Sequence, residues 1–249
     1  NSLSVSKDPD GKYYVSFLVK ETYQPPNKSA KQIAIDLGIK DFATFSDGSK
    51  VANPNHLFKS LSKLKGLQRN LSRKKKGSKN RNKARIKLAR LHSKIANQRS
   101  DFLHKLSTQI VNENQVICVE DLAVKEMLQQ NKLIAKLARN LGWRNFLTML
   151  EYKSGWNERQ FIKVDRWFAS SKTCSACGSI NKELKLSQRS WVCSCGAKHD
   201  RDHNAAKNIL REGLKDALKE ESEDKVEEVV EVVEEVIKPM KEPFVTAAF

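Results

Sequence analysis

Four cysteines fall in two close pairs, Cys174-Ser-Ala-Cys177-Gly178 and Cys193-Ser-Cys195-Gly196, with fifteen residues between the pairs. Thiolates are soft donors that suit a tetrahedral Zn2+ at Zn–S distances of ~2.3 Å, and a glycine after each pair lets backbone amides turn toward sulfur. Four cysteines close the coordination shell and leave no position for a reactive water, so the zinc reads as structural. Cys118 lies apart, in the apolar run Val116-Ile117-Cys118-Val119, and reads as a buried thiol.

Three carboxylates form a second set. Asp36 interrupts Ile33-Ala34-Ile35-Asp36-Leu37-Gly38-Ile39, and a charge amid apolar neighbours must be paired, hold a metal or face an exposed edge. Glu120 ends the VICV run in the same way, and Asp202 lies in Asp200-Arg201-Asp202-His203-Asn204, which opens a helix. Each has an ordinary reading as a strand end or a helix cap. Together they amount to carboxylates brought by two strands and one helix to one spot. A phosphodiester-cleaving site with two Mg2+ ions requires that arrangement, because hard cations take oxygen ligands and paired metals serve both attacking water and leaving oxygen. Mn2+ fits the same donors. His199 and His203 flank Asp202 as conceivable general acids. Asn204 is open to two readings, a residue that holds Asp202 or a metal-bound water, or a residue of the helix start.

The elements needed to position these residues can be read from periodicity. Asp8-Pro9-Asp10-Gly11 is a turn cluster before GKYYVSFLVK, one arm of a hairpin, and Asp47-Gly48 turns the chain after a second apolar run. Two or three antiparallel strands are expected there. Leucine and isoleucine recur at helical spacing from Leu57 to Val111, broken at Lys76-Gly77-Ser78, which predicts two helices joined by a basic loop. A buried strand at 116–119, helices over 123–153, a strand at 161–164, the cysteine segment and a helix over 200–218 complete a mixed α/β chain.

Lys plus Arg number 46 against 29 Asp plus Glu in 249 residues, a formal charge of +17. Seventeen of the basic residues fall between Asp47 and Asp101 without one acid among them. Such a run repels itself unless a polyanion neutralises it, and a phosphate backbone rewards the contact by counterion release. Nucleic acid contact is expected at Arg69, Arg73, Lys74, Lys75, Lys76, Lys79, Arg81, Lys83, Arg85 and Arg90. Trp143, Trp156, Trp167 and Phe168 have rings able to stack on bases, although aromatics among apolar residues more often belong to a core. The acidic tail reverses the sign, with twelve acids from Glu212 to Glu242, and its valines recur at helical spacing. No apolar run reaches the ~18 residues of a membrane span and no secretory pattern opens the chain, so a cytoplasmic protein without a membrane partner is expected. Nothing in the sequence sets an oligomeric state.

With these residues in place the chain resembles the OrfB/TnpB family of insertion-sequence proteins, relatives of the type V CRISPR effector nucleases. The resemblance rests on IAIDLGIKDFATFSDG, LSRKKKGSKNRNKARIKLARLHSKIANQRSDFLHKLS, VICVEDL and SSKTCSACG with WVCSCGAKHDRDHNAAKNIL, and covers roughly residues 31–214. It implies an RNase H-like (RuvC-type) mixed sheet interrupted by a basic helical insertion at 55–100 and a four-cysteine zinc ribbon at 171–198. The implied core comprises 31–170 and 199–215, preceded by the end of a truncated N-terminal β region at 1–30 and followed by an acidic tail at 216–249. The family's three catalytic acids map to Asp36, Glu120 and Asp202, with Asp200 the neighbour open to confusion. The implied activity is RNA-guided, metal-dependent DNA cleavage encoded in a prokaryotic transposon. Its partners are substrate DNA and a guide RNA from the parent element, and the protein is nucleoid-associated when DNA-bound. The alternative is a catalytically silent DNA-binding regulator or transposition accessory protein.

Overall fold

The computed structural model describes residues 2–122, 140–185 and 187–218. The expected helical stretch over 123–139 and the valine-rich tail from 219 onward lie outside the described residues. Strands β1 (Leu3–Lys7) and β2 (Tyr13–Phe17) pair antiparallel across the Asp8–Gly11 turn as a separate two-stranded ribbon. The central sheet contains β3 (Gln32–Leu37), β4 (Asp41–Phe45), β5 (Lys50–Ala52), β6 (Val116–Glu120) and β7 (Gln160–Val164), in the order β5-β4-β3-β6-β7. The first three form an antiparallel meander, and β6 and β7 add parallel to β3. At the β4–β5 turn Gly48 has φ +90°, a conformation that favours glycine.

The period-2 alternation of strands divides the sheet's two faces. Ile33, Ile35, Ile117 and Val119 point to one side, where α2 (Lys79–Glu113) supplies Leu103, Leu106 and Ile110 and α3 (Trp143–Trp156) supplies Phe146 and Leu150. Ala34, Val116 and Cys118 point to the other, against Ile209 of a helix over 201–218, here α4. Burial and the nearby Asp216 push the Cys118 thiol up to about 12, as expected of an unreactive packed cysteine.

Helix α1 (His56–Ser72) packs on the first half of α2 through Leu64, Leu91 and Ile95, forming a helical hairpin whose turn is the Lys76-Gly77-Ser78 break. The Ser78 hydroxyl accepts from the Arg81 amide at 3.1 Å and caps α2. No break marks residue 100, the limit expected for the basic insertion. The same helix that carries the basic run enters the core at Leu103. α2 and α3 are pinned together by buried Lys153, whose Nζ donates to the His104 carbonyl, Ser107 Oγ and Thr108 Oγ1 at 2.7 to 2.9 Å.

Candidate functional site

The alternation that buries Ala34 and Cys118 also decides where two of the carboxylates point. Asp36 is two residues beyond Ala34, and Glu120 two beyond Cys118, so both face the α4 side at the C-terminal ends of adjacent parallel strands. Ile35 pairs with Val119, which makes Asp36 and Glu120 neighbours at the next register step. α4 starts against this end of the sheet and carries Asp202 in its first turn. Burial, then the charges of Asp202 and Glu120, push the Asp36 carboxyl well above the usual carboxylate range, partly opposed by Arg201 and Arg189. Burial also raises Glu120, and a hydrogen bond of 3.2 Å from Ser170 Oγ opposes the shift. Asp36 thus lies within electrostatic reach of both Asp202 and Glu120.

Asp200 and Asp202 separate clearly. Asp200 accepts from the His203 amide at 3.0 Å, capping α4, and pairs with Lys50 Nζ at 2.8 Å. Although burial alone would raise it, these contacts hold Asp200 below its ordinary value. Asp202 instead faces Arg189, whose Nη1 stands 3.5 Å from each carboxylate oxygen. Sequence reasoning passed over Arg189, since one arginine in a polar ribbon loop carries no periodic or motif signal.

The histidines are occupied elsewhere. His199 Nε2 lies 3.1 Å from Cys174 Sγ and its ring packs on Trp191, while His203 bonds the Ser46 carbonyl at 3.2 Å beside Gly48. Each ring thus has its Nε2 engaged by a partner other than the carboxylates. Asn204 is fully buried, and its bonds go to the cysteine segment rather than to Asp202. Its Oδ1 accepts from the Ser175 amide at 2.9 Å and its Nδ2 donates to the Thr173 carbonyl at 2.7 Å, tying α4 to the first cysteine pair. Asn208 adds bonds of 2.8 and 2.6 Å to the carbonyls of Ser170 and Thr173.

The cysteine ribbon is a small module with its own core. Strands β8 (Ser190–Val192) and β9 (Lys198–Asp200) pair antiparallel, and Cys174, Leu184, Trp191 and Cys193 cluster beneath them. After each pair a glycine at positive φ, Gly178 at +80° and Gly196 at +87°, closes a turn back to a cysteine carbonyl. The sulfurs of Cys174, Cys177, Cys193 and Cys195 all lie within 4.8 Å of one another. Two Sγ–Sγ separations are 3.8 Å and 3.6 Å. A tetrahedron of Zn–S bonds of ~2.3 Å has edges of roughly 3.8 Å, so the donor set fits that ion. The Cys195 amide and Ser179 hydroxyl draw Cys193 down to about 5, whereas Cys195 is raised to about 11, even with the Ala197 amide lowering it, by its neighbouring thiols. The carboxylates do not close to the sulfurs' spacing. Their chemistry nonetheless fits a hard divalent cation, which would relieve the repulsion that raises Asp36.

Of the expected nucleic acid contacts, Arg69, Arg73, Lys74, Lys75, Lys76, Lys79, Lys83, Arg85 and Arg90 are exposed along the α1–α2 hairpin, and none is in an ion pair among the described residues. Arg81 is partly spent on its own turn, donating to the carbonyls of Leu71 and Lys74 at 2.9 and 3.1 Å. Trp143 is core, whereas Trp156 and Trp167 stand out in solvent. No helix among the described residues is long and apolar enough to cross a membrane.

Comparison with known proteins shows what the chain is similar to. The OrfB_IS605 family model, described as "Probable transposase", matches residues 5–131, and a Cas12f1-like TNB domain matches 143–209. A Streptomyces pristinaespiralis protein named "Putative RNA-guided DNA endonuclease" is 46% identical over 209 residues, covering 84% of this chain and 52% of that protein. InsQ of Escherichia coli, which carries the same description, is 36% identical over 216 residues, covering 80% and 54% respectively. The chain therefore spans about half the length of the curated relatives it matches. A structure titled as a Cas12f1-sgRNA-target DNA complex aligns with TM-score 0.52 at 19% identity, over 84% of this chain and 55% of that one, and shows a shared fold. With the family model running over just more than half of its residues, the chain belongs to the OrfB/TnpB family of insertion-sequence proteins.

Proposed function

We propose that this chain is the nuclease portion of an RNA-guided DNA endonuclease of RuvC type, cutting phosphodiester bonds at Asp36, Glu120 and Asp202 with two Mg2+ ions, or Mn2+ in their place. The observation that carries the reading is that Asp36 on β3 is raised first by burial and then by the charges of Asp202 on α4 and Glu120 on β6. The order β5-β4-β3-β6-β7, with β4 alone antiparallel to both its neighbours, supports an RNase H-like sheet. On this reading 31–170 and 199–215 form the core, 55–100 the basic insertion, 171–198 the ribbon around a structural Zn2+ and 216–249 an appended tail. Residues 1–30 form a β region ahead of the core.

Bound Mg2+ would supply the positive charge that activates an attacking water and stabilises the leaving oxygen. The three carboxylates would hold the metal. Ser170 fixes the orientation of Glu120, and Arg189, already at Asp202, offers a guanidinium to the phosphate being cut. The exposed cations of α1 and α2 bind sugar–phosphate backbones of DNA and guide RNA irrespective of sequence.

The test is Mg2+-dependent cleavage of single- and double-stranded DNA, with and without RNA from the parent locus, by the parent chain and by Asp36→Ala. Cleavage that requires both the RNA and Asp36 supports a guided nuclease. Tight binding without cleavage favours the DNA-binding regulator.

A further inference from the structure

The nuclease reading leaves one group at the site unused. Trp167 is 84% exposed, more than any other large apolar side chain described, and it follows β7 by only three residues. Val164, the end of β7, is the register partner of Glu120. Trp167 therefore begins no more than roughly 11 Å of chain from the residue beside that carboxylate. A lone exposed aromatic is ordinary on a mobile loop, but the segment around Trp167 is bolted down on both sides. Its own amide donates to Asp165 Oδ1 at 2.7 Å, and the Phe168 amide to the Asp165 carbonyl at 3.1 Å. Upstream, Arg166 Nη2 pairs with Asp121 at 2.6 Å. Downstream, Phe168 packs into the apolar layer under α4, and Ser170 is fixed between Glu120 and Asn208. The indole is thus a flat apolar surface held out in water on a rigid base, three residues beyond the register partner of Glu120 and on a strongly basic protein.

We infer that Trp167 is a stacking platform for an unpaired base of the strand being cut, next to the phosphate delivered to Asp36, Glu120 and Asp202. An inherently rigid ring on a fixed backbone loses little entropy on contact, and every base offers a π face, so the contact is tolerant of sequence. Stacking next to the site would also favour a strand whose bases are already unpaired over an intact duplex.

This inference rests on the proposed nuclease function, and the test separates the two. Binding of a labelled single-stranded DNA is measured in the Asp36→Ala background, where the strand stays intact, and compared with a sugar–phosphate strand of the same length lacking bases. Trp167→Ala should weaken binding of the base-bearing strand between about 5- and 150-fold, Trp167→Phe should restore most of the loss, and the abasic strand should not distinguish the variants. With exposed Trp156 replaced by Phe, the strand should quench indole emission only when Trp167 is present. Equal affinity of parent and Trp167→Ala, or an equal loss on the abasic strand, overturns the platform. Cleavage by the parent with KM unchanged in Trp167→Ala sinks the platform and leaves the nuclease. Base-dependent loss without any Mg2+-dependent cleavage sinks the nuclease and leaves the platform.

Discussion

The ribbon and the carboxylate site are both clusters of metal-type donors, and they are built in opposite ways. The four sulfurs come from 22 consecutive residues through two short turns, and they lie at the spacing of a closed shell. The three acids come from positions 36, 120 and 202, and the whole sheet topology is needed to bring them together. A local cluster is set by turn chemistry and survives changes elsewhere. A cluster assembled over long range depends on every packing contact between its elements and keeps its like charges at the cost of mutual repulsion. The two meet at Asn204, which hydrogen-bonds the first cysteine pair from a position two residues beyond Asp202.

The largest effect should come from the local cluster. Cys193→Ala should abolish zinc retention, a loss on the order of 10 kcal/mol of binding free energy for a four-thiolate site. The change should remain confined to the ribbon, seen as a red shift of Trp191 emission with the far-ultraviolet spectrum of the helices retained. Global unfolding would make the ribbon part of the main core and erase the contrast. Next comes the long-range cluster. A Cβ on Gly213 would lie 2.6 Å from Cys118 Sγ and 3.3 Å from Val164, so Gly213→Ala should push α4 off the sheet at a cost of about 1–3 kcal/mol. A melting temperature lower by about 2–4 °C per kcal/mol, with weaker Mg2+-dependent cleavage and zinc content unchanged, would separate the two assemblies. Loss of zinc in that variant would show that they are one unit.

A subtler effect concerns the repulsion itself. Because the folded value of Asp36 is raised, its ionisation costs the Mg2+-free fold stability. That stability is complete below the ordinary aspartate value of 3.8 and is lost as pH rises through the raised one. Asp36→Asn removes the titration, so without Mg2+ it should melt above the parent at neutral pH, and the gap should close on acidification to about pH 4. A gap independent of pH would mean that neither burial nor the neighbouring acids raise Asp36. The smallest effect belongs to Lys50→Ala. It breaks a half-exposed bridge to the capping Asp200 and should cost no more than about 1 kcal/mol, an effect that added salt diminishes.

The same contrast governs how much of the molecule was legible in its sequence. Cysteine spacing is a local signal, and the apolar runs at Ile33–Ile39 and Val116–Val119 foretold two strands, one interrupted by Asp36 and one ended by Glu120, which the fold places side by side. The break at Gly77 likewise divides α1 from α2 as expected. What escaped depends on distance. Arg189 reaches Asp202 only because β8 and β9 fold back, and the distinction between Asp200 and Asp202 turns on Lys50, 150 residues away. The burial of Lys153 is invisible because its three acceptors lie on another helix. Trp167 shows the converse, an aromatic in an apolar setting that residue type assigned to a core and the fold leaves in water.

Helix α2 carries this mixture of local and distant into mechanics. Its 35 residues make a rod of about 52 Å with polyanion-seeking cations on one half and the sheet's packing partners on the other. An unbroken helix has no soft joint, so a load taken up at Lys79–Arg90 acts as a bending moment on Leu103–Val111 and, through them, on the strands that carry Asp36 and Glu120. The compliant point of the arm is the Gly77 turn at its tip, with φ +82°. On the proposed function, the loop would adapt to the contour of a nucleic acid while the shaft kept that contour in fixed register with the carboxylates.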